Sequence, residues 1–279
     1  MMMGQIIRVN AGFFDVQCEQ KVYRLRASGS LRDQKIIPIV GDYVKFNVDG
    51  ILLEVLERQN LLIRPKVANV DQVVIVCALN EPKFSSLLLD RFLAMIEAQN
   101  LDVIILFTKA DLFDHQPFYD YQSQNYQCFL IDNINENNHQ DLIKLLTNKL
   151  SVFTGQSGVG KSTTINKLLN LDLKTNAISK ALGRGKHTTR VVEIHQVDQI
   201  KIIDTPGFGS IQVDLTKQQL ATAFKDFKIW AKQCKFRSCL HYKENDCFVK
   251  QQLNEKKLLQ QRYDNYLKIL LNDLDENKY

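Results

Sequence analysis

The sequence predicts a multidomain chain: a small N-terminal β-barrel, a central α/β sandwich on a mostly parallel sheet, and a mainly helical C-terminal segment. Three observations predict it. Residues 1–65 break into five short β segments punctuated by glycine turns; from Val70 onward, buried apolar runs alternate with helical periodicity; and Cys234, Cys239 and Cys247 crowd into fourteen residues with His241. The boundaries expected are 1–65, 66–213 and 214–279.

The five N-terminal segments are Gln5 to Val9, Phe13 to Cys18, Val22 to Leu25, Ile36 to Phe46 and Ile51 to Leu56. Gly12, Gly29, Gly41 and Asp49-Gly50 supply the turns, and no amphipathic helix pattern intervenes. Five short strands suit a small closed barrel of the OB type, a fold that commonly binds oligonucleotides or oligosaccharides.

In the central part, Val70 to Leu79 reads as a buried strand, Ser86 to Gln99 as a helix with Leu89, Phe92, Leu93 and Ile96 on one face, and Leu101 to Phe107 as a second buried strand. Strands Gln127 to Ile131 and Ser151 to Thr154 follow, with a helix from His139 to Leu150 and an Asn-rich loop from Asn133 to Gln140 between them. Val191 to Val197 and Gln199 to Ile203 read as a hairpin around Asp198. Strands buried on both faces and separated by helices imply a mostly parallel sheet. After Ile211 the chain turns helical, pauses at the cysteine cluster, and ends in a helix from about Val249 to Asn272.

Composition narrows the class. With 45% hydrophobic and 24% charged residues the chain is ordinarily globular, and its longest apolar runs, Val73 to Leu79 and Val103 to Phe107, fall far short of the roughly 18 residues of a membrane span. Met1-Met2-Met3-Gly4-Gln5 starts no export signal, so a cytoplasmic, non-membrane protein is expected, with reduced thiols. The net charge of +5 is uneven: residues 1–70 carry ten Lys/Arg against seven Asp/Glu, residues 71–224 fourteen against sixteen, and residues 225–279 twelve against eight. Basic ends around a near-neutral centre suit a nucleic-acid partner held by its phosphates, or simply solvated lysines.

The chemistry lies in four motifs. Gly155-Gln156-Ser157-Gly158-Val159-Gly160-Lys161-Ser162-Thr163 fits the P-loop pattern and sits between an apolar strand and a helical segment, Thr164 to Leu171. Glycines let backbone N–H groups turn toward phosphate, Lys161 neutralises β/γ charge, and Ser162 can ligate Mg²⁺. Asp204-Thr205-Pro206-Gly207 ends the next apolar strand, where Asp204 can hold Mg²⁺ through water and Gly207 can donate an N–H to the γ-phosphate.

Thr108-Lys109-Ala110-Asp111 closes the strand Leu101 to Phe107. A carboxylate at Asp111 can accept from both N1–H and the 2-amino group of guanine, a pair adenine does not offer, which selects GTP over ATP. Lys109 would lay its stem across the base, while Thr108 stands where asparagine is commoner and forgoes one hydrogen bond to the P-loop. Because this motif precedes the P-loop by more than forty residues, the order of a common GTPase is circularly permuted. The fourth motif, Cys234-x4-Cys239-x-His241-x5-Cys247, offers three thiolates and an imidazole, the donor set of a closed structural Zn²⁺ site. Lys232, Lys235, Arg237 and Lys243 around it suit RNA phosphates, and Tyr23, Arg24 and Arg26 could give the barrel a stacking and phosphate-contacting face.

Taken together, these motifs resemble the ribosome small-subunit-dependent GTPase A family. The likeness spans nearly the whole chain, adding Pro38 to Asp42 (PIVGD), Arg64 to Val76 (RPKVANVDQVVIV) and Gly183 to Arg190 (GRGKHTTR) to the motifs above. It implies an OB-fold that binds RNA, a permuted GTPase domain and a zinc domain, acting in late maturation of the small ribosomal subunit with hydrolysis of GTP to GDP stimulated by that subunit. It also implies GTP/GDP with Mg²⁺ and one structural Zn²⁺ as cofactors, the subunit and its rRNA as partners, and a monomer. GRGKHTTR becomes switch I, with Thr188 or Thr189 contacting Mg²⁺ and the γ-phosphate. Phe208 stands where many GTPases carry a water-orienting Gln, and His195 is the histidine the resemblance suggests for hydrolysis. Leu130 to Asn135 departs from the family's base-backing loop, and Asn245-Asp246 stands where Pro-Gly is usual. On the residues alone, an RNA-binding assembly chaperone with a structural nucleotide and an ATP-dependent P-loop enzyme stay open.

Overall fold

The computed structural model describes residues 1–33, 35–63, 65–110, 115–131, 139–168, 192–205 and 213–276. Their chain falls into two compact units: Met1–Gln72 with His139–Thr154 and Lys161–Pro206, and Val73–Asn138 with Gly155–Gly160 and Gly207–Tyr279.

The first unit opens with strands β1 (Met2–Asn10), β2 (Phe13–Cys18), β3 (Lys21–Ala27), β4 (Tyr43–Phe46) and β5 (Ile51–Val55), which close into a barrel in the order β1-β2-β3-β5-β4. Inward alternation builds its core from Ile6, Phe14, Val16, Leu25, Val44, Phe46 and Leu52, and Leu31 plugs it from a one-turn helix α1 (Gly29–Asp33). No helix was expected there, because five residues are too few for a periodicity to register. The expected strand Ile36 to Phe46 extends only over β4. Pro38 has no N–H for a ladder, and Gly41 turns the chain at φ +91°, where a Cβ would lie 2.0 Å from the Ala68 carbonyl. The adjacent Asp42, fully buried, accepts from Ile39 N–H at 2.8 Å and from Arg58 at 2.7 and 2.9 Å. These contacts are the physical content of the PIVGD motif. Strands β6 (Leu61–Leu62) and β7 (Val67–Ala68) form a short antiparallel pair.

Strand β8 (Gln72–Ala78), helix α2 (Ser86–Glu97), strand β9 (Asp102–Thr108), helix α3 (Gln116–Ser123) and strand β10 (Gln127–Ile131) follow. The second unit carries the order β10-β9-β8, with β10 and β9 parallel in register from Gln127↔Ile104 to Ile131↔Thr108. Helix α4 (His139–Leu146) stops short of the expected Leu150, because Asn148 adopts φ +60° and donates its N–H to Gln199 O at 2.7 Å. Leu150 instead begins β11 (Leu150–Gly155), which runs parallel to β13 (Ile200–Asp204); β12 (His195–Val197) pairs antiparallel with β13 around Asp198. Helix α5 (Lys161–Leu168) follows the P-loop.

The C-terminal part of the second unit comprises α6 (Lys217–Ala221), α7 (Lys225–Trp230), a 3₁₀ turn (Ala231–Gln233), α8 (Phe248–Asn254) and α9 (Gln260–Glu276). The single expected helix is thus two. Lys256 takes φ +58°, with Lys256 N–H bonded to Leu253 O at 3.0 Å and Lys257 N–H to Gln252 O at 2.9 Å, a Schellman termination that turns the chain between them. Among the described residues no helix is long and apolar enough to cross a membrane.

Candidate nucleotide and metal sites

The P-loop leaves β11 through Gly155 at φ +144°, where a Cβ would lie 2.2 Å from the Val76 carbonyl, so no other residue passes there without displacing β8. Gly158 and Gly160 also take positive φ (+81° and +91°), Ser157 and Gly158 are exposed, and Val159 is buried as the loop's apolar anchor. Gln156 and Gly160 are half-buried.

Thr108 reaches this loop from the end of β9. Fully buried, its hydroxyl donates to Val159 O at 2.6 Å, with Cys77 O at 3.2 Å. Threonine therefore supplies a P-loop hydrogen bond of its own from the position where asparagine is commoner. Lys109, at φ +58°, donates from its ammonium to the Glu81 carbonyl. Asp111, the guanine-reading carboxylate, lies outside the described residues, as do Thr188, Thr189, Gly207 and the segment 132–138.

In the first unit, Lys161 is buried at the start of α5 and Thr163, two residues on, is exposed. Ser162 Oγ stands 3.5 Å from Asp204 Oδ2, a pair of hard oxygen donors of the kind Mg²⁺ prefers. Thr205 fixes the end of β13, its hydroxyl donating to Phe153 O at 2.9 Å and its N–H at 3.1 Å, so Asp204 leaves the strand in a set direction. His195 opens β12 opposite Ile202. Burial lowers its pKa against the pull of the Asp204 carboxylate, favouring neutral imidazole.

The cysteine cluster is compact. The Sγ atoms of Cys234, Cys239 and Cys247 and a ring nitrogen of His241 lie within 4.8 Å of one another. His241 Nδ1 is 3.6 Å from Cys234 Sγ and 3.4 Å from Cys247 Sγ, and the Cys234 and Cys247 sulfurs are 4.0 Å apart. Tetrahedral Zn²⁺ with Zn–S near 2.3 Å and Zn–N near 2.0 Å requires ligand separations of about 3.5–3.8 Å, so the donor set fits with small adjustments. His241 Nε2–H donates to Ala221 O at 3.0 Å, which fixes the tautomer with Nδ1 free to ligate, and burial lowers the imidazole pKa so that it stays neutral.

Sequence reading missed the support around these ligands. Glu244 accepts from Leu240 N–H at 2.7 Å and Tyr242 N–H at 2.9 Å, while Tyr263 and Tyr266 donate to His241 O and Leu240 O at 2.7 and 2.5 Å. A Glu three residues beyond a ligand carries no signal without the loop's shape. Asn245-Asp246 leaves the ligands in place, and Asp246 pairs with Lys235 at 2.7 Å. On the barrel, Tyr23 packs toward the core against Phe46 at 5.2 Å and is no stacking platform, whereas exposed Arg24 and Arg26 both lie over the Phe13 ring, at 4.7 and 4.8 Å.

A phosphate-binding loop, a D-x-P-G segment on the end of a strand, and an earlier T-K-x-D segment hydrogen-bonded to the loop define a circularly permuted P-loop GTPase. Comparison with known proteins agrees. The RsgA GTPase profile matches residues 55–214 and the RsgA N-terminal domain profile residues 3–51, and the chain belongs to the RsgA GTPase family. It is 46% identical over 271 residues to the small ribosomal subunit biogenesis GTPase RsgA of Mycoplasmopsis pulmonis (strain UAB CTIP), covering 96% of this chain and 98% of that one. To the protein of the same name from Bacillus subtilis (strain 168) it is 41% identical over 285 residues, covering 96% of each. Among solved structures it is similar to YloQ, a circularly permuted GTPase (TM-score 0.81, 36% identity, 100% of this chain and 96% of that one). It is likewise similar to YjeQ from Thermotoga maritima (TM-score 0.84, 29% identity, 98% of each).

Proposed function

We propose that the chain is a GTP hydrolase that acts in late maturation of the small ribosomal subunit, binding the subunit's rRNA and being stimulated by it, in the cytoplasm and as a monomer. The observation that carries the nucleotide half is the 2.6 Å hydrogen bond from Thr108 to Val159, which ties the base-reading segment to the phosphate loop although the chain order is reversed. In this reading Gly155 to Gly160 cradle the phosphates with backbone N–H groups, Lys161 neutralises their charge, and Asp111 reads guanine, with Lys109 leaving Glu81 to cover the base. Ser162 and Asp204 would hold Mg²⁺, joined by Thr188 or Thr189, and Gly207 would meet the γ-phosphate. Bound Mg²⁺ supplies charge neutralisation between β- and γ-oxygens. His195, neutral through burial, is the group proposed to orient the attacking water.

Three functional segments follow: residues 1–65 as the RNA-binding barrel, 66–213 as the GTPase domain, and 214–279 as the zinc domain. One structural Zn²⁺ on Cys234, Cys239, His241 and Cys247 would hold the last of these in shape. Arg24 and Arg26 on the barrel, and Lys232, Lys235, Arg237 and Lys243 beside the zinc ligands, are exposed cations suited to rRNA phosphates. The name shared by the relatives supports the subunit as partner. The test is nucleotide binding by the full chain. GTP should be preferred over ATP, and Asp111→Asn should lower GTP affinity by about 100-fold or more, since a site built to pair with guanine is left mismatched. Equal affinity for the two nucleotides, or indifference to Asp111→Asn, would refute the base-reading role.

A further inference from the structure

The Cys-His loops of the second unit carry two aromatic rings that its core does not take up. Among the described residues Phe236 is the only exposed phenylalanine, at 51%, and Tyr242 is exposed at 36%. In the same unit Phe224, Phe227, Tyr263 and Tyr266 are buried and pack ring against ring. Both exposed rings stand on pinned backbone. Phe236 lies between Cys234 and Cys239, and its carbonyl accepts the Cys239 N–H at 3.2 Å. Tyr242 follows His241; its N–H donates to Glu244 at 2.9 Å and its carbonyl accepts from the Lys250 ammonium at 3.3 Å. A ring presented to solvent in this way loses little freedom when something stacks on it.

A cation accompanies each ring. The Lys235 ammonium lies 5.7 Å from the Phe236 centroid, and that of Lys243 lies 5.4 Å from the Tyr242 centroid. Residues 232–250 hold five Lys/Arg (Lys232, Lys235, Arg237, Lys243 and Lys250) against two carboxylates, Glu244 and Asp246. Glu244 is engaged by backbone N–H groups and Asp246 by Lys235, so the surplus charge is positive. Lys235 and Lys250 also line an open groove of about 660 Å³ together with Gln233, Asn245, Gln251 and Asn254. Each of these amides offers a donor and an acceptor, the combination that nucleobase edges pair with.

We propose that this face of the Cys-His module reads unpaired RNA bases: Phe236 and Tyr242 each stack on a nucleobase, the amide-lined groove takes a base edge, and the neighbouring lysines hold the adjoining phosphates. The inference rests on the reading of the chain as an rRNA-binding protein and narrows it. Lysines alone serve any phosphate backbone, whereas ring faces engage only bases that have left the stack. A paired A-form helix keeps its bases stacked and presents phosphates and 2′-hydroxyls, so the partner is a loop, a bulge or a strand end.

The test is a fluorescence-anisotropy titration of the full chain with a short unstructured RNA strand and with an RNA duplex of the same length, each at several salt concentrations. Phe236→Ala and Tyr242→Ala should each weaken strand binding about tenfold, within the range that one base–aromatic stack supplies, and change duplex binding less than about twofold. Phe236→Tyr and Tyr242→Phe should keep the affinity, while Phe236→Leu, apolar but without ring faces, should not. Lys235→Ala and Lys243→Ala should weaken both RNAs and flatten the logarithmic salt dependence of strand binding by about 0.7 each. Irradiating a strand that carries 5-bromouridine should cross-link it to Phe236 and Tyr242, read by mass spectrometry of the peptides. Equal losses on strand and duplex, full recovery by Phe236→Leu, or cross-links confined to other residues would overturn the base-reading role while leaving the phosphate contacts in place. Alanine variants at Phe236 and Tyr242 that bind both RNAs normally yet lose stimulation of GTP hydrolysis by small subunits would overturn it in favour of a protein partner. Lysine variants without effect on either RNA would overturn the rRNA reading of the module itself.

Discussion

Replacing Arg262 with Leu removes a buried cation from the second unit's polar network. Arg262 is 3% exposed; its Nη2 donates to Tyr126 OH at 2.7 Å, its Nη1 lies 3.3 Å from Asp226 and its Nε 3.6 Å from fully buried Asp90, with Tyr126 and Phe224 rings each 4.9 Å from the guanidinium. Leu restores packing and leaves Asp90 with Asn265 (2.6 Å) and Tyr121 (3.0 Å), and Glu97 with Tyr126 (3.1 Å) and Lys225 N–H (3.0 Å). Stripping one partner from a buried pair costs about 3–5 kcal/mol. Even beside Arg262, burial raises Asp90 to about 6 and Glu97 to about 7, so both can relieve the loss by taking a proton. A cost of about 3 kcal/mol at pH 7 is therefore expected, smaller at pH 5 and larger at pH 8. With a urea slope of about 2 kcal/mol/M the midpoint moves down by about 1.5 M. The single tryptophan, Trp230, sits 6.4 Å from Phe227 in the same unit, so its fluorescence reports this transition directly. A loss below about 1 kcal/mol, or one that grows toward low pH, would refute the argument.

Three further expectations follow from the same geometry. Gly155→Ala places a Cβ 2.2 Å from the Val76 carbonyl and should abolish GTP binding in a nucleotide-fluorescence titration; retained binding would show that the P-loop does not need its observed path. The purified chain should carry about one zinc per molecule by elemental analysis, and Cys239→Ser or chelation should lower the thermal midpoint of the second unit by several degrees, with no shift contradicting a structural metal. For Glu97, the folded pKa of about 7 exceeds the unfolded value near 4.5, so the native state holds the proton more tightly. Its contribution is fully present below about pH 4.5 and is lost as pH rises through about 7. Unaltered protein should therefore lose up to about 3 kcal/mol relative to Glu97→Gln over that window in urea titrations, and a gain would contradict the assignment.

How much of this was legible follows from what each element depends on. The P-loop and the Cys-His cluster are local chemistry, in which spacing within one short segment sets the geometry, and the structure brings the same residues together. The barrel strands were legible through alternation and glycine turns. Where expectation and structure part, a distant contact or one backbone torsion decides: the Gly41 turn is shaped by Ala68, α4 ends where Asn148 meets Gln199, and the C-terminal helix breaks at a single positive φ on Lys256. Helix α3 went unread because Gln116 to Ser123 mixes aromatic and polar residues and buries only Tyr121. At the barrel face, composition could not tell Tyr23, which packs inward, from Phe13, which carries the two arginines.

The central claim, a GTP-selective hydrolase answering to the small ribosomal subunit, is tested most directly by hydrolysis of GTP against ATP, with and without purified small subunits, at one stated salt concentration. The account predicts turnover of GTP well above that of ATP, rising sharply when subunits are added and less so as salt screens the basic faces. Preference for ATP would contradict the role given to the Thr108 to Asp111 segment, and GTP turnover indifferent to the subunits would contradict the partner.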